Sequence, residues 1–428
     1  MRSAALALVF LSIPVAAQTV VPLDEALSIV ETQSADVLRA EAAIFSSTAA
    51  VDAVDDSRWP ALSLSAGGGQ RYGLSFDQTS GALTQSTVES MSLGVSARYT
   101  VFDGFERRAE RRAAEAGLRE AELLRARATQ GGRVGVLSGY LAVAQAQAAL
   151  EVAEETVRSE EDLLREIDIR VEFGDRPASD AAQQHERIAT ARSAVVAAER
   201  DHALAHARLV RLLGLDPART YTFPSPTTDD TAPLASVDAL VADAIASRSD
   251  LQAAEIAIQA AEANGRAARA SRLPQVALSG SIGTSYSSAT TGAVPGQFGD
   301  NRTGSIGLSV SMPLLDRGIT RQRVRQAEAR ASALRAEAAD VQRAIALEVQ
   351  ERHIRLDAID AQVVLAAERV TAAEAALAAE RARYENGDTT IQSVSLLQSR
   401  VADARTAQAL LRVQATFERR MLLLTVGE

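Results

Sequence analysis

The sequence is written twice. "SRWPALSLSAGGG" (57–69) returns in altered form as "SRLPQVALSGSIG" (271–283), 214 positions later in a chain of 428 residues. "RVEFGD" (170–175) pairs with "RYENGD" (383–388) at an offset of 213, and Asp103 of "VFDGF" pairs with Asp316 of "LLDRG" at the same offset. "SADVLRAE" (34–41) meets "RSDLQAAE" (248–255), and Gly214 meets Gly427. One offset held from end to end indicates tandem duplication of a unit of roughly 200 residues. The boundaries expected are a first repeat over 18–222, a linker over 223–233 ("FPSPTTDDTAP"), and a second repeat over 234–428. Whatever one half builds, the other must build as well.

The first 17 residues stand outside the repeat. "MRSAALALVFLSIPVAAQ" has Arg2, an apolar run over 4–13, and Val15-Ala16-Ala17 before Gln18, the arrangement of a secretory signal peptide over 1–17. No cysteine follows, so no thiol can carry a lipid, a disulfide or a thiolate metal site. Downstream, no run of 18 apolar residues predicts a membrane helix. Aromatics are 4 % of the chain and alanine is abundant, which favours long helices packed through small side chains over a bulky globular core. A net charge of −10 argues against nucleic acid as a partner.

Within each repeat the hydrophobic period changes twice. A helical stretch comes first (23–57 and 235–271). A strand-like region follows: Met91, Leu93, Val95, Ala97, Tyr99 and Val101 alternate with Ser92, Gly94, Ser96, Arg98 and Thr100, and Ile306, Leu308, Val310 and Met312 alternate with Gly307, Ser309 and Ser311. With "ALSLSAGG" and "QVALSGSIG" these predict two β-hairpins (about 60–102 and 274–315), joined through Gly/Ser/Thr-rich loops at 73–87 and 287–304. Long charged, Ala-rich helices are then expected over about 105–172 and 318–385, each stopping at "GD", with a second helix returning over about 178–213 and 391–425. Asp103 with Glu106 resembles a capping box, and Asp316 can cap the second long helix.

Strands of about ten residues, apolar on one face and Ser/Gly/Thr on the other, suit a tilted membrane-spanning β-strand. Four strands cannot close, and lipid cannot satisfy an open sheet edge. Several chains must therefore complete one barrel, eight strands from two copies or twelve from three. Trp59 before the first strand and Phe102 at the end of the second fall at one membrane interface. Arginine clusters in "FERRAERRAAEAGLRE" and "RGITRQRVRQAEAR" follow at once; they read either as a collar meeting lipid headgroups or as ordinary solvated helix faces.

Taken in order and twice over, the Arg-x-Pro lead into strand one, the "VFDGF" exit from strand two and the "RY-x-x-G" turn near residue 384 resemble the TolC-type outer-membrane efflux protein family, across nearly the whole chain after residue 17. The resemblance implies an α+β membrane protein: a homotrimer with a twelve-stranded β-barrel in the outer membrane and a periplasmic α-helical barrel built from tandem repeats. It also implies an exit duct of a tripartite efflux pump or type I secretion system, with a periplasmic adaptor and an inner-membrane pump of RND, ABC or MFS type as partners. No cofactor, metal or catalytic activity is implied.

The turns carry Arg-x-Glu-x-Gly-Asp in both halves: Arg170, Glu172, Gly174 and Asp175, then Arg383, Glu385, Gly387 and Asp388. In a trimer six such turns form a tip to which an adaptor can dock. Gly and Asp are ordinary turn residues, which leaves Arg and Glu unexplained. The family's pore gate combines acids on the returning helix with a Tyr before the second turn. Asp180 and Tyr384 match these positions, so Asp180 can accept a hydrogen bond from Tyr384. The second half departs from the pattern, with Ser393 at the position equivalent to Asp180 and Leu396 at another often acidic, so fewer acids line the constriction.

Other features carry less. His202 and His206 are spaced for a metal on a helix but lack a third ligand. Gly131, Gly135 and Gly139 recur every fourth residue and suit close helix approach or a bend. The rival functional reading is a non-conducting periplasmic coiled-coil scaffold anchored by its hairpins in the outer membrane.

Overall fold

The computed structural model describes residues 19–77, 81–225, 234–290 and 293–427. The signal segment 1–17 and residues 226–233 of the linker lie outside the described residues. The first repeat runs β1 (Thr19–Val20), α1 (Leu23–Gln33), α2 (Ala35–Asp56), β2 (Ala61–Asp77), β3 (Ala82–Phe102), α3 (Glu106–Glu172) and α4 (Ala178–Leu212). Then follow β4 (Tyr221–Thr222), α5 (Val237–Ser247), α6 (Ser249–Ala270), β5 (Gln275–Ser287), α7 (Val294–Asp300), β6 (Thr303–Ser311), α8 (Ile319–Glu385) and α9 (Ile391–Val426). The long helices α3 and α8 have 67 residues each, as the shared offset requires. At 1.5 Å per residue each is roughly 100 Å long.

Two compact units form among the described residues, and each draws on both repeats: residues 19–41, 125–225, 234–249 and 342–427 make one, residues 42–77, 81–124, 250–290 and 293–341 the other. In the first unit, Val21 and Leu23 pack with Val136, Leu137, Tyr140 and Val143 of α3, Leu209 of α4, and Phe417 and Met421 of α9. Tyr140 donates to the carbonyl of Val21 at 2.6 Å and meets Phe223 edge-on. Burial of its ring, ahead of the nearby carboxylates Glu25 and Asp24, pushes the phenol upward from its ordinary pKa. The same core explains a feature of α3, the one helix among the described residues long and apolar enough to cross a membrane. Its apolar side chains Val136, Leu137, Tyr140 and Val143 are packed against protein. Gly135 and Gly139 face Leu212 and Leu209 of α4, whereas a side chain at Gly131 would meet open space.

The second unit holds one antiparallel sheet in the order β2-β3-β5-β6. Several sequence expectations need correction here. The first hairpin is longer than the ten-residue estimate, with strands of 17 and 21 residues. Its pairing continues to Asp77↔Ala82, so most of the loop expected over 73–87 is strand. The second loop instead carries helix α7, pinned where Gln297 bonds the backbone of Ser287 and Thr290. Each leading helical stretch is broken once, at Ser34 and Arg248, where the backbone is extended.

The start of α3 also differs. Asp103 caps it, accepting from the Arg107 backbone and side chain, but Glu106 accepts from Gln275 rather than closing a capping box. Gly104 and Phe105 take left-handed φ of 69° each, and their counterparts Arg317 and Gly318 take 54° and 84°. The chain thus passes into α3 and into α8 through one and the same backbone turn, with glycine at opposite positions. Asp316 accepts from the backbone of Gly318 and Thr320 at 2.9 and 2.8 Å. Those donors, Thr320 first, draw its carboxyl down to about 2.

Candidate functional site: the two-faced sheet and the helix turns

Strand register assigns every side chain of the sheet to a face, because directly paired residues share one. Leu64↔Val95↔Ile282 is one row, Leu62↔Ala97↔Gly280↔Ile306 another, and Tyr99↔Leu278↔Leu308 a third. These apolar residues are largely exposed, Ile306 at 87 %. The opposite face is small and polar: Ser63 bonds Ser96 at 2.7 Å, and Ser281 bonds Ser305 at 2.8 Å. Among the described residues the outer strands β2 and β6 are each paired on one side only.

The register shifts between Thr100 and Phe102. This bulge sets Phe102 opposite Val276, on the apolar face, where strict alternation would have put it among the serines. Phe102 stacks edge-on against Phe105, with ring centroids 5.3 Å apart. Trp59 is exposed at 76 % and borders the same face beside Tyr99 and Leu278. The two aromatics named from sequence thus stand at one end of the sheet and on its apolar side.

In the other unit, both long helices end in the same hydrogen-bonded turn. The backbone N–H of Asp175 bonds the carbonyl of Arg170 and that of Gly174 bonds Val171, at 2.8 and 3.0 Å. Asp388 to Arg383 and Gly387 to Tyr384 repeat this at 2.9 and 3.1 Å. Such closure needs a left-handed residue, supplied by Gly174 (φ 78°) and Gly387 (φ 83°). The arginines have separate work: Arg170 reaches across to donate to the carbonyl of Glu385, and Arg383 binds Glu380 and the carbonyl of Asp388. Glu172, Asp175, Glu385 and Asp388 are exposed.

In the first turn of α4, Asp180 is buried, and its Oδ2 accepts a 2.9 Å hydrogen bond from Tyr384 of α8. The Arg176 guanidinium lies 4.0 Å over the Tyr384 ring. Leu163, Ile167, Leu377, Ile391 and Val394 enclose this pair. Burial, then the hydrogen bond to and charge of Asp180, push the Tyr384 hydroxyl up to about 12. Ser393 lies half-buried within reach of Thr390, at 3.4 Å, and Leu396 is exposed.

A neighbouring constellation escaped the sequence reading. Glu160 of α3, only 3 % exposed, accepts from Gln184 at 2.6 Å and from Arg187 at 3.3 Å, both on α4. Arg187 also donates to the Ser395 carbonyl of α9 at 3.0 Å. Three helices therefore meet on one guanidinium. Its members sit 24 and 27 positions apart across a turn, a separation with no motif to mark it. Elsewhere His206 is engaged with the carbonyl of Tyr221 at 2.9 Å, its ring tilted against Phe223 with centroids 4.9 Å apart. No group of three metal-ligating side chains occurs among the described residues.

Comparison with known proteins adds to this geometry. A sequence model described as outer membrane efflux protein matches residues 26–215 and again 240–428, one match per repeat. Outer membrane efflux protein BepC of Brucella suis is 26 % identical over 287 residues, covering 67 % of this chain and 61 % of that protein's own length. Among solved structures, the outer membrane protein VceC of Vibrio cholerae superposes with a TM-score of 0.79 at 20 % identity, covering 95 % of this chain and 96 % of VceC. The CmeC outer membrane channel of Campylobacter jejuni gives 0.78 at 16 % identity, covering 95 % and 85 %. At such identities the structural likeness speaks to the fold.

Proposed function

The chain belongs to the outer membrane efflux protein family, and from that premise we propose that it is the outer-membrane exit duct of an export machine, working as a homotrimer. The observation that carries the reading is the open sheet with one exposed apolar face and, among the described residues, two outer strands each paired on one side only. An apolar face of that extent belongs against lipid, and lipid tolerates no free strand edge. Pairing β6 of one copy with β2 of the next removes every edge. Three copies give twelve strands around a lumen lined by Ser and Gly. Eight strands would enclose a space that side chains normally fill, and these small residues cannot fill it.

In this reading residues 1–17 direct export and are removed, and the helices form a periplasmic tunnel. The turns at 174–175 and 387–388 are its tip, where a periplasmic adaptor docks and couples the duct to an inner-membrane pump of RND, ABC or MFS type. Passage is passive, and the pump supplies the energy. Asp180 and Tyr384 hold the tip closed, because their bond ties α4 to α8, while Ser393 is the uncharged counterpart of Asp180 in the second half. Trp59 and Phe102 sit at the membrane interface. The chain's chemistry is transport rather than catalysis, as befits its family.

Single-channel recording of the purified protein in planar bilayers tests this directly. Discrete current steps support the duct. A protein that inserts verifiably and stays silent, in wild type and in Asp180→Ala and Tyr384→Phe alike, is a scaffold instead.

A further inference from the structure

The chain contains no lysine; all its 45 basic residues are arginine. Five of these surround one groove of about 590 Å³ between the start of α3 and the end of α6: Arg108, Arg112, Arg266, Arg269 and Arg272. Arg269 is paired with Glu328 at 2.6 Å. The other four are exposed and form no ion pair among the described residues. Two other arginines of the same unit do find carboxylates, Arg111 with Asp55 and Glu115 and Arg335 with Glu262. Four like charges around one depression repel each other unless an anion joins them.

The groove's remaining wall is apolar. Phe105 is 60 % exposed and Leu273 41 %. Phe105 packs on Phe102, which the bulge has turned to the apolar face of the sheet. The arginines therefore begin where the exposed apolar band ends, and on the same side of the sheet. That is the position of a headgroup relative to acyl chains. A guanidinium fork matches a phosphate better than an ammonium does.

We infer that this groove binds the headgroup of an anionic phospholipid, with Arg108, Arg112 and Arg272 on the phosphate and Phe105 and Leu273 along the first acyl carbons. The inference rests on the reading of the sheet as part of a membrane barrel. Bound lipid fastens the helix roots to the leaflet and relieves the repulsion among the arginines.

The test reconstitutes the chain in phosphatidylcholine vesicles with traces of spin-labelled phosphatidylglycerol or phosphatidylcholine and measures the motionally restricted fraction of each. Wild type is expected to prefer phosphatidylglycerol by at least about threefold, given the attraction of each basic side chain at an anionic surface. The Arg108→Gln/Arg112→Gln/Arg272→Gln variant is expected to lose that preference. Arg108→Gln alone weakens it in part, and this arm serves if the triple variant does not insert. Arg165→Gln/Arg192→Gln, remote from the groove in sequence and unit, keeps it. About 10 mM inorganic phosphate at matched ionic strength should leave it unchanged, since each guanidinium–phosphate contact is weak alone and the acyl contacts persist. Inserted protein without a preference overturns the inference and points to carboxylates of a neighbouring copy as the partners. Displacement by inorganic phosphate overturns the lipid assignment in favour of a free anion. Failure to restrict either lipid overturns the barrel reading together with it.

Discussion

The Tyr384 hydroxyl donates to Asp180 Oδ2 at 2.9 Å, joining side chains 204 positions apart and both almost fully buried. A buried bond to a charged acceptor contributes about 1.5–3 kcal/mol, and losing one partner leaves the other unsatisfied. Removing Tyr384's hydroxyl strands a carboxylate, whereas removing Asp180 strands only a neutral phenol. Both Tyr384→Phe and Asp180→Ala should therefore raise open probability, by roughly tenfold or more, with Tyr384→Phe the stronger. Single-channel recording decides it. Unchanged currents in both variants would discard the gate and leave the duct.

The same pair sets an alkaline limit. Burial, then the bond to and charge of Asp180, push the folded Tyr384 hydroxyl up to about 12 from an ordinary 10.0. A group whose pKa is raised on folding contributes its full stabilisation below the unfolded value and loses it as pH climbs through the folded one. The closed state should hold to about pH 10 and weaken between 10 and 12. Open probability recorded across that window should rise in wild type and stay flat in Tyr384→Phe.

Glu160 and Arg187 offer a sharper energetic test. With Glu160 nearly inaccessible, Arg187→Met leaves a buried carboxylate without its cation and should destabilise by about 3 kcal/mol. The double variant Glu160→Gln/Arg187→Met should recover most of that loss. Chemical denaturation of the four members of the cycle gives the coupling directly. Additive losses would mean that Gln184 alone satisfies Glu160.

Much of this architecture was legible because the repeat forced it. The lengths of α3 and α8, the "GD" turns and the alternating strands each appear twice, so chance alternation in one half is checked by the other. What stayed hidden depended on pairing across distance. The first hairpin outran its estimate because Gly73 and Ser86 look like loop residues, yet they pair with each other in the ladder. The bulge at Val101 changes which face Phe102 meets without leaving any mark in the alternation. Arg170 had no explanation from turn chemistry, and its role emerged only once the Glu385 carbonyl was seen beside it.

Glycines that look alike in sequence should respond in opposite ways. A Cβ at Gly104 would lie 2.7 Å from the Ala270 carbonyl oxygen, at a φ of 69°. Backbone strain of about 1–2 kcal/mol adds to that overlap. Gly131 lies inside α3 with open space around it, and replacing it there should gain about 0.5–1 kcal/mol of helix propensity. Thermal unfolding should place Gly104→Ala well below wild type and Gly131→Ala slightly above it. Equal effects would mean that the turn into α3 adapts.

Adjacent residues of β6 provide the test of which face meets lipid. Leu308 lies on the apolar face opposite Leu278, while Ser309 lies on the serine face and bonds the Ala277 carbonyl. An arginine facing lipid near the bilayer midplane costs about 2–4 kcal/mol, and one facing a watery lumen costs little. Leu308→Arg should therefore impair insertion and lower the denaturant midpoint in vesicles. Ser309→Arg should insert normally, but it adds a cation per copy to the lumen wall, reducing conductance and moving selectivity toward anions. The reversed pattern, a benign Leu308→Arg with a disruptive Ser309→Arg, would turn the sheet inside out and end the barrel reading.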